Sequence, residues 1–202
     1  MSEPRFQRRK QERPGEIAAA AFEVFAEKGY ANARVDDVAK RAGVSKGLLY
    51  LYFRTKEELF KAVIKSVVMA RLDSLLVAVE ETELSSEAFI RGPLASFMKR
   101  VPGSPVAIVI RLLISEGHRH PDLVDYYWEN VVSKGLGAIS RIVERGVEHG
   151  EFRRNEVTEL PQLFVAPMMV SMIWKILFSK HSLNTDKLIE TQLEMILATI
   201  RA

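Results

Sequence analysis

The 202-residue sequence contains no cysteine, and it lacks long uncharged apolar runs. The missing cysteine excludes disulfide bonds, thiolate nucleophiles and thiolate metal sites. The most apolar window, 160–178, is interrupted by two prolines and a lysine. It is therefore unlike a membrane-spanning helix, which needs about 20 apolar residues. The charged N-terminus is not followed by a signal-type apolar region, so we expect a cytoplasmic protein without a membrane partner.

Motifs of common enzyme classes are also missing. The sequence has no glycine-rich phosphate loop, no G-x-S-x-G elbow and no H-E-x-x-H pair. The segment SEGHRHPD does bring Glu116, His118, His120 and Asp122 close together. Residues two apart on a helix do not face each other, and the glycine and proline in this segment predict a helix end. We expect no enzyme, catalytic residue, metal or cofactor, with a helical metalloenzyme using Glu116, His118 and His120 as the least favoured alternative.

Strand patterns are nearly absent, whereas helical periodicity runs through the chain. The sequence predicts an all-α fold of about nine helices. They cover about 14–28, 35–42, 45–52, 55–81, 85–100, 104–117, 121–148, 159–179 and 185–201. Thr55 and Glu58 predict a capping box at the start of the long fourth helix. Gly135 and Gly137 predict a kink in the seventh.

Charge is distributed unevenly along the chain. The net charge is +3, but residues 1–56 carry +5 and residues 57–202 carry −2. A basic segment on a slightly acidic body indicates a polyanionic partner for the basic part. Taken alone, the same charge pattern also fits a solvated surface.

Residues 35–53, VDDVAKRAGVSKGLLYLYF, contain two short helical patterns separated by a glycine. Ala39 is small enough for two helix backbones to approach closely, and Gly43 can adopt the positive φ that a tight corner needs. This spacing is typical of a helix-turn-helix motif. Ser45 is predicted to cap the second helix of the pair.

In a helix-turn-helix, the N-terminal residues of the second helix enter the major groove of DNA. The candidates for DNA contact are therefore Ser45, Lys46, Gly47 and Leu48. Lys46 can donate to guanine or phosphate, and Leu48 can contact a thymine methyl group. Tyr50 or Tyr52 can reach phosphate while the other packs inward. Lys56, with the N–H groups that open the fourth helix, is predicted to hold a further phosphate.

Residues 16–63 carry four motifs in register: AFEVFAEKGY, DDVAKRAGVSKG, LYLYF and TKEEL. They resemble the N-terminal DNA-binding domain of the tetracycline-repressor (TetR/AcrR) family of bacterial regulators. The resemblance implies a helix-turn-helix domain over residues 1–60 and a helical ligand-binding and dimerisation domain over residues 61–202. It also implies a homodimer, a palindromic double-stranded DNA operator and, most often, a repressor. Arg34 stands where the family usually has threonine; we expect it to contact phosphate, with Asn32 replacing the lost helix cap.

The resemblance also implies an effector, and the apolar residues predict a small apolar or aromatic one. Candidate pocket residues are methionines, aromatics and one leucine: Phe89, Phe97, Met98, Leu112, Tyr126, Tyr127, Trp128, Met168, Met169 and Met172. The last two helices offer a dimer interface with Phe164, Ile173, Trp174, Leu177, Leu193, Ile196 and Leu197. Plain core packing is the alternative for both sets. A DNA-binding protein of this fold without an effector remains a second hypothesis.

Overall fold

The structure is a computed structural model that describes the backbone of residues 5–202 and the side chains of residues 13–202. Within that range it contains nine helices and no strand, which confirms the predicted all-α fold. Three helices contain a five-residue π-helical turn. The nine helices are α1 (Arg5–Asn32), α2 (Val35–Arg41), α3 (Lys46–Tyr52), α4 (Lys56–Ile64, π turn Lys65–Met69, Ala70–Glu81), α5 (Ser86–Phe89, π turn Ile90–Leu94, Ala95–Arg100), α6 (Val106–Glu116), α7 (Pro121–Tyr127, π turn Trp128–Val132, Ser133–Glu148), α8 (Gln162–Leu177) and α9 (Thr185–Ile200).

Two helices differ from the predicted pattern. Pro14 lies inside α1, because the helix already begins at Arg5. The irregular turn of α7 lies at Trp128–Val132 and not at the predicted Gly135 and Gly137. A Cβ at Gly135 would stand 3.6 Å from the Leu72 side chain. Gly135 therefore serves close packing of α7 against α4.

The described residues up to Ala70, together with Ile108–Tyr127, form one compact unit. Its core contains three aromatic rings, from Phe25, Tyr30 and Phe60, whose centroids lie 5.4–5.6 Å apart. Leu49 of α3 is fully buried in the same unit. On the α6 side, Arg111 donates to the carbonyl oxygen of Ala26 at 3.2 Å. Short helices such as α2 and α3 are marginal alone, so this packing is what maintains them.

Residues Arg71–Ala107 and Trp128–Ala202 form the second unit. The α5 helix begins with an acidic cap from a distant residue: the Glu151 carboxylate accepts from the N–H groups of Ser86 and Glu87, both at 3.0 Å. Phe152 forms an isolated bridge with Arg201, which ties the α7–α8 connection to the end of α9. Among residues 5–202, no helix is both long and apolar enough to cross a membrane.

Candidate nucleic-acid interface

The corner between α2 and α3 is set by backbone conformation. Gly43 has φ +63°, which confirms the predicted positive φ. No atom lies within 4 Å of the position that a Cβ would occupy there. Glycine is therefore needed for its backbone freedom and not for space. Ala39 is 4% exposed, and its carbonyl oxygen accepts from the N–H of Val44, just after the turn, at 3.0 Å.

Ion pairs hold α2 against α1. The Arg41 guanidinium donates to Glu27 through two nitrogens, at 2.9 and 2.7 Å, and to Glu23 at 2.9 Å. The hydrogen bond from Arg41 holds the pKa of the Glu27 carboxyl below its usual range. The Lys28 ammonium lies 2.8 Å from Asp37. Two-nitrogen arginine–carboxylate contact fixes geometry as well as charge, so the position of α2 on α1 is well defined.

Arg34 lies just before α2 and has an exposed side chain. Its backbone N–H donates to the Asp37 carboxylate at 3.2 Å. This contact and, more strongly, the hydrogen bond from Lys28 lower the pKa of Asp37. The proposed substitute cap, Asn32, is wrong, because its side-chain amide donates back to the Lys28 carbonyl oxygen. Acid residues in the first turn of α2 therefore stabilise a helix start that lacks a side-chain cap.

The start of α3 has the predicted cap. The N–H of Leu48 donates to Ser45 Oγ at 3.1 Å. Next to it, the Lys46 ammonium forms an ion pair with Asp36 of α2 at 2.7 Å, and both side chains are more than half exposed, at 56% and 62%. The hydrogen bond to Asp36 raises the pKa of Lys46. Gly47 is exposed, with open space around it.

Further along α3, the exposed side chains are Tyr50, at 40%, and Leu51, at 81%. Leu48 and Tyr52 are half-buried. The sequence reasoning missed Leu51, although a signal existed. It lies two residues after the buried Leu49, and about 200° around a helix places it on the opposite face. Leu51 is thus a more accessible apolar contact than Leu48.

Lys56 has a different role from the predicted phosphate ligand. Its ammonium donates to the carbonyl oxygens of Tyr30, Ala31 and Ala33, at 2.7, 3.1 and 3.3 Å. It also lies 4.5 Å from the centre of the Tyr30 ring. Burial lowers the pKa of this lysine. Lys56 therefore joins the start of α4 to the end of α1.

The first turn of α4 is capped from within the chain. Thr55 Oγ1 accepts from the N–H of Glu58 at 3.0 Å, and the Glu58 carboxylate accepts from the N–H of Arg54 at 2.6 Å. The first hydrogen bond is that of the predicted capping box. In the second, Glu58 binds the N–H of Arg54 and not that of the cap residue Thr55. Glu57 and Glu58 also place negative charge at this helix start, which disfavours a phosphate there. Arg54, exposed and just before the helix, is the cation that the sequence reasoning missed.

The second unit contains a cleft of about 490 Å³ between α4 and α5. Its lining residues are Arg71, Ser74, Leu75, Ala78, Pro93, Ser96, Phe97, Arg100, Val101 and Ser104. A smaller, wholly apolar cavity shares Leu75 with the cleft and leaves no space for a water-sized sphere. Its lining residues are Leu75, Val79, Phe89, Ile90, Leu94, Ala138, Ile139 and Ile142. Arginine was not among the predicted pocket residues.

Only two of the ten predicted pocket residues line these two cavities, Phe97 the cleft and Phe89 the small cavity. Met98, Leu112 and Met172 are 0–3% exposed and line neither cavity. The remaining five lie on α7 and α8 and line neither cavity: Tyr126, Tyr127, Trp128, Met168 and Met169. Burial raises the pKa of Tyr127, and Trp128 is 54% exposed. Amphipathic spacing identified buried residues here but did not separate cavity walls from solid core.

Of the seven predicted dimer residues, four are buried, one is half-buried and two are exposed. Phe164, Leu193, Ile196 and Leu197 are 0–5% exposed within one chain and cannot form an intersubunit surface, so these four assignments are wrong. Trp174 is half-buried, and its Nε1 donates to the His181 carbonyl oxygen at 3.0 Å. Exposed apolar residues do exist, and four of them, spaced one or four residues apart on one side of α8, form an apolar face: Met169, Val170, Ile173 and Leu177.

The Glu116–Asp122 segment has a packing role. The ring of His120 lies edge-on to Tyr30, with centroids 4.9 Å apart. Among the residues with described side chains, no group of three or more histidines and acids could hold a metal ion.

Comparison with known proteins agrees with this geometry. Residues 17–63 match the family model for bacterial regulatory proteins of the tetR family, and residues 90–190 match the tetracyclin repressor-like C-terminal domain. The fatty acid metabolism regulator protein of Bacillus subtilis (strain 168) is 30% identical over 147 residues, covering 71% of this chain and 74% of that protein. The transcriptional activator FasR of Mycolicibacterium smegmatis is 44% identical over 70 residues, covering 35% and 30%.

Two solved structures share the fold. A TetR-family regulator from Mesorhizobium loti superimposes with a TM-score of 0.77 at 20% identity, over 96% of this chain and 99% of the other. The regulator FadR from Bacillus subtilis, in complex with stearoyl-CoA, gives 0.74 at 23% identity, over 93% and 99%. A DNA-binding helix-turn-helix protein with a separate helical body is the class that these observations define. The chain belongs to the TetR family of bacterial transcriptional regulators, which are not enzymes.

Proposed function

We propose that this protein is a homodimeric repressor that binds a palindromic DNA operator and is released from it by a small-molecule effector. In this proposal residues 1–60 form the DNA-binding domain and residues 61–202 the effector-binding and dimerisation domain. The observation that carries the proposal is the N-terminal face of α3. It combines a capped helix start, an exposed lysine and an exposed, unobstructed glycine in a helix-turn-helix.

The proposed base contacts come from Lys46, Gly47, Tyr50 and Leu51. Lys46 must exchange its Asp36 partner for guanine or phosphate, which is a small cost because the pair is exposed. The space around Gly47 allows the backbone to approach the groove. Leu51 replaces Leu48 as the contact for a thymine methyl group, because it is 81% exposed.

The proposed phosphate contacts come from residues that flank these helices. Arg34 and Arg54 have exposed side chains. Ser45 uses its hydroxyl oxygen to accept from Leu48 and retains a hydroxyl proton that can be donated to a phosphate. Lys56 is left out because its ammonium already serves three carbonyl oxygens.

The proposed dimer contact is the exposed apolar face of α8, centred on Ile173 and Leu177. The occupant that we propose is the same face of a second copy, since a two-fold interface uses one patch twice. A palindromic operator also requires two DNA-binding domains, because its two half-sites lie about 34 Å apart. Members of the family often act as homodimers on DNA operators.

For the effector, we propose a small molecule with a long apolar chain. The relatives named above support this class, one as a regulator of fatty acid metabolism and one as a complex with stearoyl-CoA. Activation is the second candidate function, because a transcriptional activator is 44% identical over 70 residues. The two differ in sign: in a reporter strain, deleting the gene raises target expression for a repressor and lowers it for an activator.

The proposed function can be tested by selecting the operator from random duplex DNA with the purified protein. The selected duplex is then titrated by fluorescence anisotropy. We expect an inverted repeat, saturation at one or two dimers per duplex, and weaker binding for Lys46→Ala and Tyr50→Phe. The matched control is Lys180→Ala, an exposed lysine in the second unit that should change nothing. Selection of no common sequence, or equal losses in the control, would refute the proposal.

A further inference from the structure

The cleft between α4 and α5 has the chemistry of a site for an anion with an apolar chain. Two arginines, Arg71 on α4 and Arg100 at the end of α5, line it, and neither aspartate nor glutamate is among the lining residues. Its volume, about 490 Å³, falls within the range of about 300–1,000 Å³ that is typical of small-molecule pockets.

The charge balance of this cleft favours an anionic occupant. No described carboxylate forms an ion pair with Arg100, whereas Lys99 beside it pairs with Glu190. The end of a helix by itself stabilises a cation such as Arg100. Arg71 lines the same cleft from a different helix. Arg71 also interacts within the chain, but a guanidinium has five N–H donors and can bind a carboxylate or phosphate as well.

The cleft also has apolar walls. Besides the two arginines, five apolar residues and three serines line it: Leu75, Ala78, Pro93, Phe97, Val101, Ser74, Ser96 and Ser104. Leu75 also lines the wholly apolar cavity, which leaves no space for a water-sized sphere. The apolar chain must therefore lie within the cleft itself, beside Leu75 and Phe97.

The cleft also lies next to irregular backbone. Pro93 belongs to its lining and to the π-helical turn Ile90–Leu94 of α5. π-Helical turns within α-helices often occur at functional sites. This position is consistent with a binding role for the cleft.

We propose that this cleft binds an amphipathic anion, with a carboxylate or phosphate group held by Arg71 and Arg100 and an apolar chain along Leu75 and Phe97. The assignment rests on the proposed effector-controlled function and adds the chemistry of the effector head group and the residues that recognise it.

The test is calorimetric titration of the DNA-free full-length protein with three probes: dodecanoate, dodecyl phosphate and 1-dodecanol, each below its micelle or solubility limit. The variants are Arg71→Gln and Arg100→Gln, with Arg141→Gln as the matched control. Arg141 lies in the same unit, outside the cleft, in an exposed pair with Glu80. Circular dichroism and the Tm verify that each variant is folded.

At least one anion should bind with one molecule per chain and at least tenfold more tightly than dodecanol. Each cleft variant should weaken that anion by about ten- to hundredfold, the size expected for lost hydrogen bonds to a charged group. Dodecanol binding should be the same in all variants, and Arg141→Gln should behave as wild type. A shorter chain should bind about fourfold more weakly for each buried methylene removed. The stronger of the two anions identifies the head group.

Equal binding of anions and alcohol, no effect of the cleft variants, or an equal effect of Arg141→Gln would overturn this site. A protein that selects DNA but binds none of the three probes would also overturn it, leaving the proposed DNA-binding function intact. Arginine-dependent anion binding by a protein that selects no DNA would support the site and refute the regulator.

Discussion

Gly47→Ala is the substitution that best separates DNA binding from folding. Gly47 is the second residue of α3, and no atom lies within 4 Å of the position that an added Cβ would occupy. Alanine therefore meets no clash in the folded protein. Because glycine loses more backbone entropy than alanine on entering a helix, we expect the free energy of unfolding to rise by about 0.5–1 kcal/mol. For a chain of this size, that corresponds to an increase in Tm of about 1–4 °C.

The same methyl group should weaken DNA binding. In the proposed interface, the open surface at Gly47 lets the α3 backbone approach the base edges. A Cβ would push Lys46 and Tyr50 away from the groove. Since one base contact contributes about 1–3 kcal/mol, loss of a single contact reduces the affinity about tenfold for each DNA-binding domain.

The assay combines chemical denaturation with anisotropy titration of the selected duplex at fixed salt. Gly43→Ala is the control with the opposite sign: φ +63° there forces alanine into the left-handed region, which costs about 1–2 kcal/mol of folding stability. Gly43→Asn should lose less, since asparagine tolerates that region. If Gly47→Ala is stabilised and binds DNA as tightly as wild type, the reasoning about close approach at Gly47 is refuted.

Three further predictions concern the ion pair, the helix cap and the dimer. Asp36→Asn should lower the Tm by at most about 4 °C, because the first turn of α2 loses one of its two acid residues. It should tighten DNA binding by about two- to fivefold in the anisotropy assay, because it removes an exposed partner of Lys46 and a negative charge beside the DNA; weaker binding would contradict this. Glu151→Ala should lower the free energy of unfolding in urea by about 2 kcal/mol, because two N–H groups at the start of α5 lose a carboxylate acceptor; Glu151→Gln should lose less, and equal losses would argue against a charge effect. Ile173→Glu should convert the dimer to monomer in light scattering, whereas the exposed Lys175→Glu on another side of α8 should not; a dimeric Ile173→Glu would place the interface elsewhere.

Much of the fold follows from local patterns. Apolar spacing predicted nine helices because each helix buries one stripe of its surface. Ile17, Ala21, Val24 and Phe25 are all at most 1% exposed, as their shared face requires. Positive φ at Gly43 and the Ser45 cap are also local features, set by interactions over a few residues, so the sequence was sufficient for them.

Contacts between distant residues were not predictable in this way. Lys56 was a reasonable phosphate ligand until folding brought it against carbonyl oxygens more than 20 residues earlier. Glu151 caps a helix that starts 65 residues before it. Phe164 and Leu197 have the composition of a dimer interface but are fully buried in one chain. Apolar spacing indicates that a helix face is buried, but it does not indicate whether the same chain or a second subunit covers that face.

The sequence by itself determined the helical class, the helix-turn-helix and the family, because these depend on spacing along one segment. Only the tertiary structure decided which lysine is exposed, which leucine of α3 faces outward and which arginines line the α4–α5 cleft. The physical reason is that exposure, ion pairing and cavity walls depend on the distances between elements, and those are fixed only when the helices pack together.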